Sequence, residues 1–127
     1  MLQKVAFTMY PVTDMPRARA FYEETLGLGP SRSGGTSPWV EFDLAGGGCL
    51  AITTVTPNEP SASAGGTIAF EVDDLPAMVA DLKARGVAFA AEGIESPVCR
   101  MAIIKDPDGN AIILHKLKSA EERAGQA

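Results

Sequence analysis

The residues that could do chemistry in this chain are few. There is one histidine, His115, two cysteines, Cys49 and Cys99, and the carboxylates Glu41, Asp43 and Glu71 set inside strand-like runs. An imidazole can donate or accept a hydrogen bond and can move a proton near neutral pH. A carboxylate within hydrogen-bond reach would make an acid/base pair of it. A thiolate nucleophile would need a histidine beside it, but Arg100 next to Cys99 points to the other strand face and no second histidine exists. Cys99 is therefore read as a buried, unreactive thiol, and Cys49, which follows three glycines, carries no functional signal. The two cysteines form no Cys-x-x-Cys pair, so neither a disulfide framework nor a zinc knuckle is indicated.

The element that positions His115 begins at Asp106-Pro107-Asp108-Gly109-Asn110. Pro107 sets φ near −65°, Asp106 and Asp108 can bond their own backbone, and Gly109 tolerates positive φ, so a turn is expected. The run Ala111 to Leu117 after it predicts a strand, with Ala111, Ile113 and His115 on one face and Ile112 and Leu114 on the other. Glu71 lies in a second such strand, Thr67 to Asp73, on the face of Thr67 and Ala69. Glu41 and Asp43 share a face with Trp39 in the alternating run Trp39 to Leu44 and should border water.

Further strands are predicted at Val5 to Val12, Cys49 to Val55, Val87 to Ala90 and Val98 to Lys105, with an irregular edge over Pro30 to Ser37. Two helices are predicted. Asp14 caps the first, with Pro16 in its first turn and Met15, Ala18, Phe21, Tyr22 and Leu26 along one stripe. Asp74 caps the second, which carries Leu75, Met78, Val79 and Leu82 and ends at Gly86. Thr56 to Gly66 reads as a linker of breakers and small polar residues, and Ser119 to Ala127 as a polar, frayed tail. The halves repeat at an offset of 60, with Val12, Asp14, Met15, Pro16 and Ala20 matched by Val72, Asp74, Leu75, Pro76 and Ala80. The expected fold is α+β, one domain of two tandem βαβββ modules: module one about 2–56, a linker about 57–66 and module two about 67–118, followed by the tail 119–127.

A doubled unit of this kind, with Val12-Thr13-Asp14, Phe21-Tyr22, Leu26-Gly27-Leu28 and the closing Asp106-Pro107-Asp108-Gly109-Asn110, resembles the vicinal oxygen chelate superfamily. That group includes glyoxalases, bleomycin-resistance proteins and extradiol dioxygenases. The resemblance implies sheets curled into a cup around a central cleft, with the helices outside. It also implies a homodimer, because members usually cover their sheet edges with a second subunit. Metal-dependent members place His, Glu or Gln at four strand positions, which here fall on Phe7, on Ala51 or Thr53, on Thr67 and on Ile113. Those side chains lack the imidazole and carboxylate donors that a transition metal prefers, so no metal and no cofactor is expected.

What remains in the implied cleft is a mostly apolar wall with isolated polar groups, the usual make-up of a small-molecule site. The expected ligand-binding residues are Phe7, Met9, Trp39, Thr67, Ala69, Glu71, Ile113 and His115, with no catalytic residue assigned. Three functions are compatible with this set. The first is metal-free binding of a small hydrophobic or aromatic compound, as in the bleomycin-resistance branch. The second is a metal-independent enzyme of lyase or isomerase type using Glu71 and His115 as acid and base. The third is a metalloenzyme with displaced ligands drawn from Glu41, Glu71 and His115, which a single histidine supports poorly.

Composition narrows the partners. The 127 residues carry a net charge of −5 and show no basic cluster, which argues against nucleic acid. No apolar run approaches the roughly 18 residues of a membrane helix. Met1-Leu2-Gln3-Lys4 leads into a strand pattern rather than a secretory leader, so a cytoplasmic location is expected.

Overall fold

The strands form where β-branched and aromatic residues alternate or run together, and the helices where an aspartate precedes an apolar stripe. The computed structural model describes residues 1, 3–31 and 36–124. Its elements in order are β1 (Thr8–Pro11), α1 (Met15–Ala20) continued by a wider π-helical turn (Phe21–Thr25), β2 (Trp39–Asp43), β3 (Cys49–Thr53), β4 (Ile68–Glu71), α2 (Leu75–Ala84), β5 (Phe89–Glu95), β6 (Cys99–Lys105), β7 (Ala111–Leu117) and α3 (Ala120–Ala124). The class is α+β with two mixed sheets, ordered β1-β3-β2 and β4-β7-β6-β5, neither closed into a barrel. The chain divides into two compact units, Met1–Ser61 with Pro107–Asn110, and Ala62–Asp106 with Ala111–Ala127.

In the first unit β1 runs parallel to β3, and β2 antiparallel to it. Tyr10, Val40, Phe42, Leu50 and Ile52 are buried on one sheet face. Helix α1 starts where the Asp14 carboxylate accepts the Arg17 amide, as its sequence predicts. In the π-helical turn the Leu26 amide donates to the Phe21 carbonyl at 2.8 Å. The widened turn brings the adjacent Phe21 and Tyr22 both to buried positions, and Tyr22 meets Phe42 at 6.1 Å between ring centroids. The edge expected over Pro30 to Ser37 falls partly on 32–35, outside the described residues.

Residues Pro107–Asn110 cluster with this unit because their side chains bond it. The Asn110 amide group donates to the Pro11 carbonyl at 2.7 Å, and its oxygen accepts the Ser61 amide at 3.0 Å. Asp108 Oδ1 accepts the Thr13 amide and the Arg17 guanidinium, each at 3.0 Å, and also the Thr13 hydroxyl. The turn geometry is as expected, with Gly109 at φ 90°.

In the second unit β4 runs parallel to β7, and β6 pairs antiparallel with both β7 and β5. Ile104, Ile112 and Leu114 are buried on one face, under α2 with its buried Leu75 and Leu82. The Asp74 carboxylate caps α2 through the Ala77 amide. Strand β5 is longer than Val87 to Ala90. It continues to Glu95 through two register irregularities, and Gly93 at φ 66° lets the strand bend there. The polar segment after β7 forms α3 instead of fraying from Ser119. Ser119 and Glu122 exchange side-chain and backbone bonds at 3.1 Å, and Glu122 pairs with Arg100 at 2.9 Å. The remaining tail residues, 125–127, lie outside the described set.

Candidate functional site

Strand alternation leaves each sheet with a second face, away from its buried aliphatic side chains, and Met9, Trp39, Ala69, Glu71, Ile113 and His115 lie on these faces. On the first sheet, cross-strand register sets Met9, Ala51 and Glu41 in one row and Pro11, Thr53 and Trp39 in the next. Strand β1 is shorter than Val5 to Val12, so Phe7 precedes it and stands 45% exposed. Its ring still meets Trp39 edge to face at 5.3 Å. The Trp39 indole N–H donates to Glu41 Oε2 at 2.7 Å, and Cys49 Sγ stands 3.8 Å from Glu41 Oε1. Glu41 therefore holds the indole plane in place instead of merely bordering water, and Cys49 acquires a polar neighbour that its glycine-rich context did not suggest. The parity of Trp39 and Glu41 was the one signal that could have found the pair.

On the second sheet the rows are Ala69, Ile113, Ile103 and Ala91, then Glu71, His115, Met101 and Ile94. Thr67 precedes β4 and is exposed. Glu71 and His115 are direct cross-strand partners, and the Glu71 carboxylate hydrogen-bonds His115 Nδ1. Its other oxygen accepts the Leu117 amide at 2.8 Å. β4 ends at Glu71 while β7 runs on, so the side chain supplies the acceptor that the ladder no longer offers. This second bond was invisible in the sequence. The Leu117 amide, and then the His115 ring, hold the Glu71 carboxyl below the usual carboxylate range. The imidazole is partly covered, its side chain 28% exposed.

The structure thus brings Phe7 to Trp39, Met9 to Ala51, Ala69 to Ile113, and Glu71 to His115. Cys99 is 7% exposed at the β5–β6 hairpin, where Ser96 Oγ lies 3.1 Å from its sulfur and accepts its amide at 3.0 Å. That is a structural setting.

Register also decides between the two alternatives, Ala51 and Thr53, for the second metal-ligand position. Ala51 opposes Met9 as Ile113 opposes Ala69, so Ala51 is the equivalent residue. The Thr53 hydroxyl is engaged in any case, donating to the Pro38 carbonyl and accepting the Val55 amide, each at 2.9 Å. Phe7, Ala51, Thr67 and Ile113 do not fit a divalent transition metal. Among the described residues no three His, Cys, Asp or Glu side chains come together to hold one.

A mixed α+β chain with a duplicated strand–helix–strand pattern and two such sheets defines a glyoxalase-like class of fold. A sequence profile of the Glyoxalase/Bleomycin resistance protein/Dioxygenase superfamily matches residues 4–114, and the chain belongs to that superfamily. Among solved structures it is similar to TnmS3, an antibiotic binding protein from Streptomyces sp. CB03234. The two share 32% identity at a TM-score of 0.75, over 92% of this chain and 98% of that one. A glyoxalase/bleomycin resistance protein from the same strain is 33% identical at a TM-score of 0.70, over 87% and 98%. A glyoxalase/dioxygenase from Nostoc punctiforme is 20% identical at a TM-score of 0.75, covering 92% of each chain, and shows the fold alone. The search of curated proteins found no match. No helix among the described residues is long and apolar enough to cross a membrane.

Proposed function

We propose that this chain is a small-molecule binding protein that takes a hydrophobic or aromatic ligand without a metal ion. The observation that carries the reading is its likeness, at sequence as well as fold level, to an antibiotic binding protein. The chemistry of the second faces supports it. On the first unit Phe7, Met9 and Trp39 offer apolar and aromatic contact; on the second Ala69 and Ile113 offer apolar contact, and Glu71 and His115 polar anchorage. Trp39 is the single tryptophan, so its fluorescence reports on a ligand at the first sheet without labelling. Titrating the protein in EDTA with bleomycin and a panel of planar polycyclic aromatics should give a saturable fluorescence change for at least one compound. Calorimetry on the same panel reads a ligand at the second sheet, and a flat response by both methods would count against the reading.

The Glu71–His115 contact favours one second reading, a metal-independent enzyme using the pair as base and acid. Mass spectrometry of the compound recovered after long incubation separates the two, since a binding protein returns it unchanged. We further propose a cytoplasmic homodimer, on the strength of the family's habit of covering sheet edges with a second subunit. Light scattering that gave the monomer mass across micromolar concentrations would contradict the dimer.

A further inference from the structure

We propose that His115 presents Nε2 as a fixed hydrogen-bond acceptor to a ligand hydroxyl, so that the preferred ligands are neutral phenols or enols. The inference rests on the small-molecule reading above and names its chemical class.

The argument begins with the carboxylate. Glu71 bonds His115 Nδ1 through one oxygen and accepts the Leu117 amide through the other, so both oxygens are committed and the group cannot rotate freely. An ionised carboxylate can only accept, and its carboxyl is held toward the ionised form by those same two contacts. Nδ1 must therefore carry the proton of the neutral ring. The remaining nitrogen, Nε2, then has a lone pair and no hydrogen, and it has no hydrogen-bond partner among the described residues. A neutral imidazole without such a restraint favours the opposite arrangement, with its proton on Nε2.

The surroundings select the rest of the ligand. Met101 opposes His115 on β6, Ile113 precedes it on the same face, and Ile94 extends the row. An aromatic body can lie on these apolar side chains, with the Met101 sulfur at its edge. Its O–H would donate to Nε2 of the partly exposed ring. A ligand that offers only a carbonyl meets a lone pair with a lone pair and gains nothing.

The single histidine makes the test direct, because its two ring nitrogens are the only imidazole signals in a 15N-labelled sample. At pH 8.5, Nδ1 should show the shift of a protonated nitrogen and Nε2 that of a bare one. 2-Naphthol should then move the Nε2 signal and bind about fivefold or more tightly than 2-methoxynaphthalene, which has no proton to donate. Glu71→Ala should let the proton return to Nε2 and level the two affinities. A proton on Nε2 in the parent protein would overturn the proposal. Equal affinity for the two probes would overturn it while leaving the binding reading intact. Failure of both probes to bind while another compound of the panel binds would overturn the phenol preference, and failure of the whole panel would overturn the binding reading with it.

Discussion

The two sheets share one register and differ in what they place on it. β1 and β4 correspond at an offset of 60, whereas β2 with β6 and β3 with β7 correspond at 62, as Thr8–Leu50 against Ile68–Ile112 shows. On the helix-facing sides the counterparts are all apolar apart from Thr8, with Ile52 matched by Leu114, Phe42 by Ile104 and Leu50 by Ile112. On the other sides they are not alike. Pro11, Thr53 and Trp39 stand where the second sheet has Glu71, His115 and Met101, and Glu41 stands where it has Ile103. The hairpin turns diverge in the same way. Leu44 to Gly48 and Asp106 to Asn110 have equal length, and Gly47 and Gly109 both take positive φ, but only the second turn carries bonding side chains. Burial constrains one face of each sheet to be apolar, and nothing in the packing dictates the other.

The largest test of that equivalence is to cut matched core positions. Ile52→Ala and Leu114→Ala should each cost about 2–5 kcal/mol in urea unfolding, since both side chains are fully buried in the middle of a strand. A cost below ~1 kcal/mol at either one would break the match. The turns should separate more sharply. Asp108→Ala leaves the Thr13 amide and Arg17 without their acceptor and should cost about 1–3 kcal/mol. Its counterpart Gly46 has open space where a Cβ would go and no positive φ, so Gly46→Ala should stay within about 0.5 kcal/mol. Equal effects would show that the Asp108 bonds contribute nothing to stability.

On the second faces, stability and binding should part. His115→Ala should change stability by less than about 1.5 kcal/mol, because Glu71 keeps its Leu117 bond, while ligand affinity falls several-fold. Calorimetry and thermal melts on the same samples read both. The smallest expected effect is electrostatic. Glu71, Glu95 and Glu122 all have carboxyls held below the ordinary value of 4.5, so their contribution is present above that value and lost as pH falls through the folded-state values. Glu71→Ala should make the acid side of the stability–pH curve shallower, and an unchanged slope would show that its bonds carry no net stabilisation. Exposure and salt keep the effect modest.

Much of the fold was legible because its signals are local. Asp14 and Asp74 as helix caps, Gly109 as a positive-φ turn and the alternation in Trp39 to Asp43 all depend on residues within one turn or strand. The pairing of Glu71 with His115 was expected from parity and family register together, and the two do meet. What escaped depends on where strands stop. β1 begins at Thr8, so Phe7 reaches Trp39 from outside the strand, and β4 ends at Glu71, so its carboxylate is free to take the Leu117 amide. Strand ends are set by which backbone groups find partners, and pattern alone does not carry that. The Ser119–Glu122 exchange was readable as a capping box, but a polar tail without an apolar stripe gave no reason to look for one.

The central claim is metal-independent binding, and ligand-induced stabilisation after chelation tests it most directly. A compound that binds in the fluorescence panel, held at about 100 times its Kd, should stabilise the protein by about 2.7 kcal/mol. The shift should be the same before and after exhaustive dialysis against EDTA. Loss of the stabilisation on chelation, with recovery on adding zinc, nickel or manganese, would contradict the account.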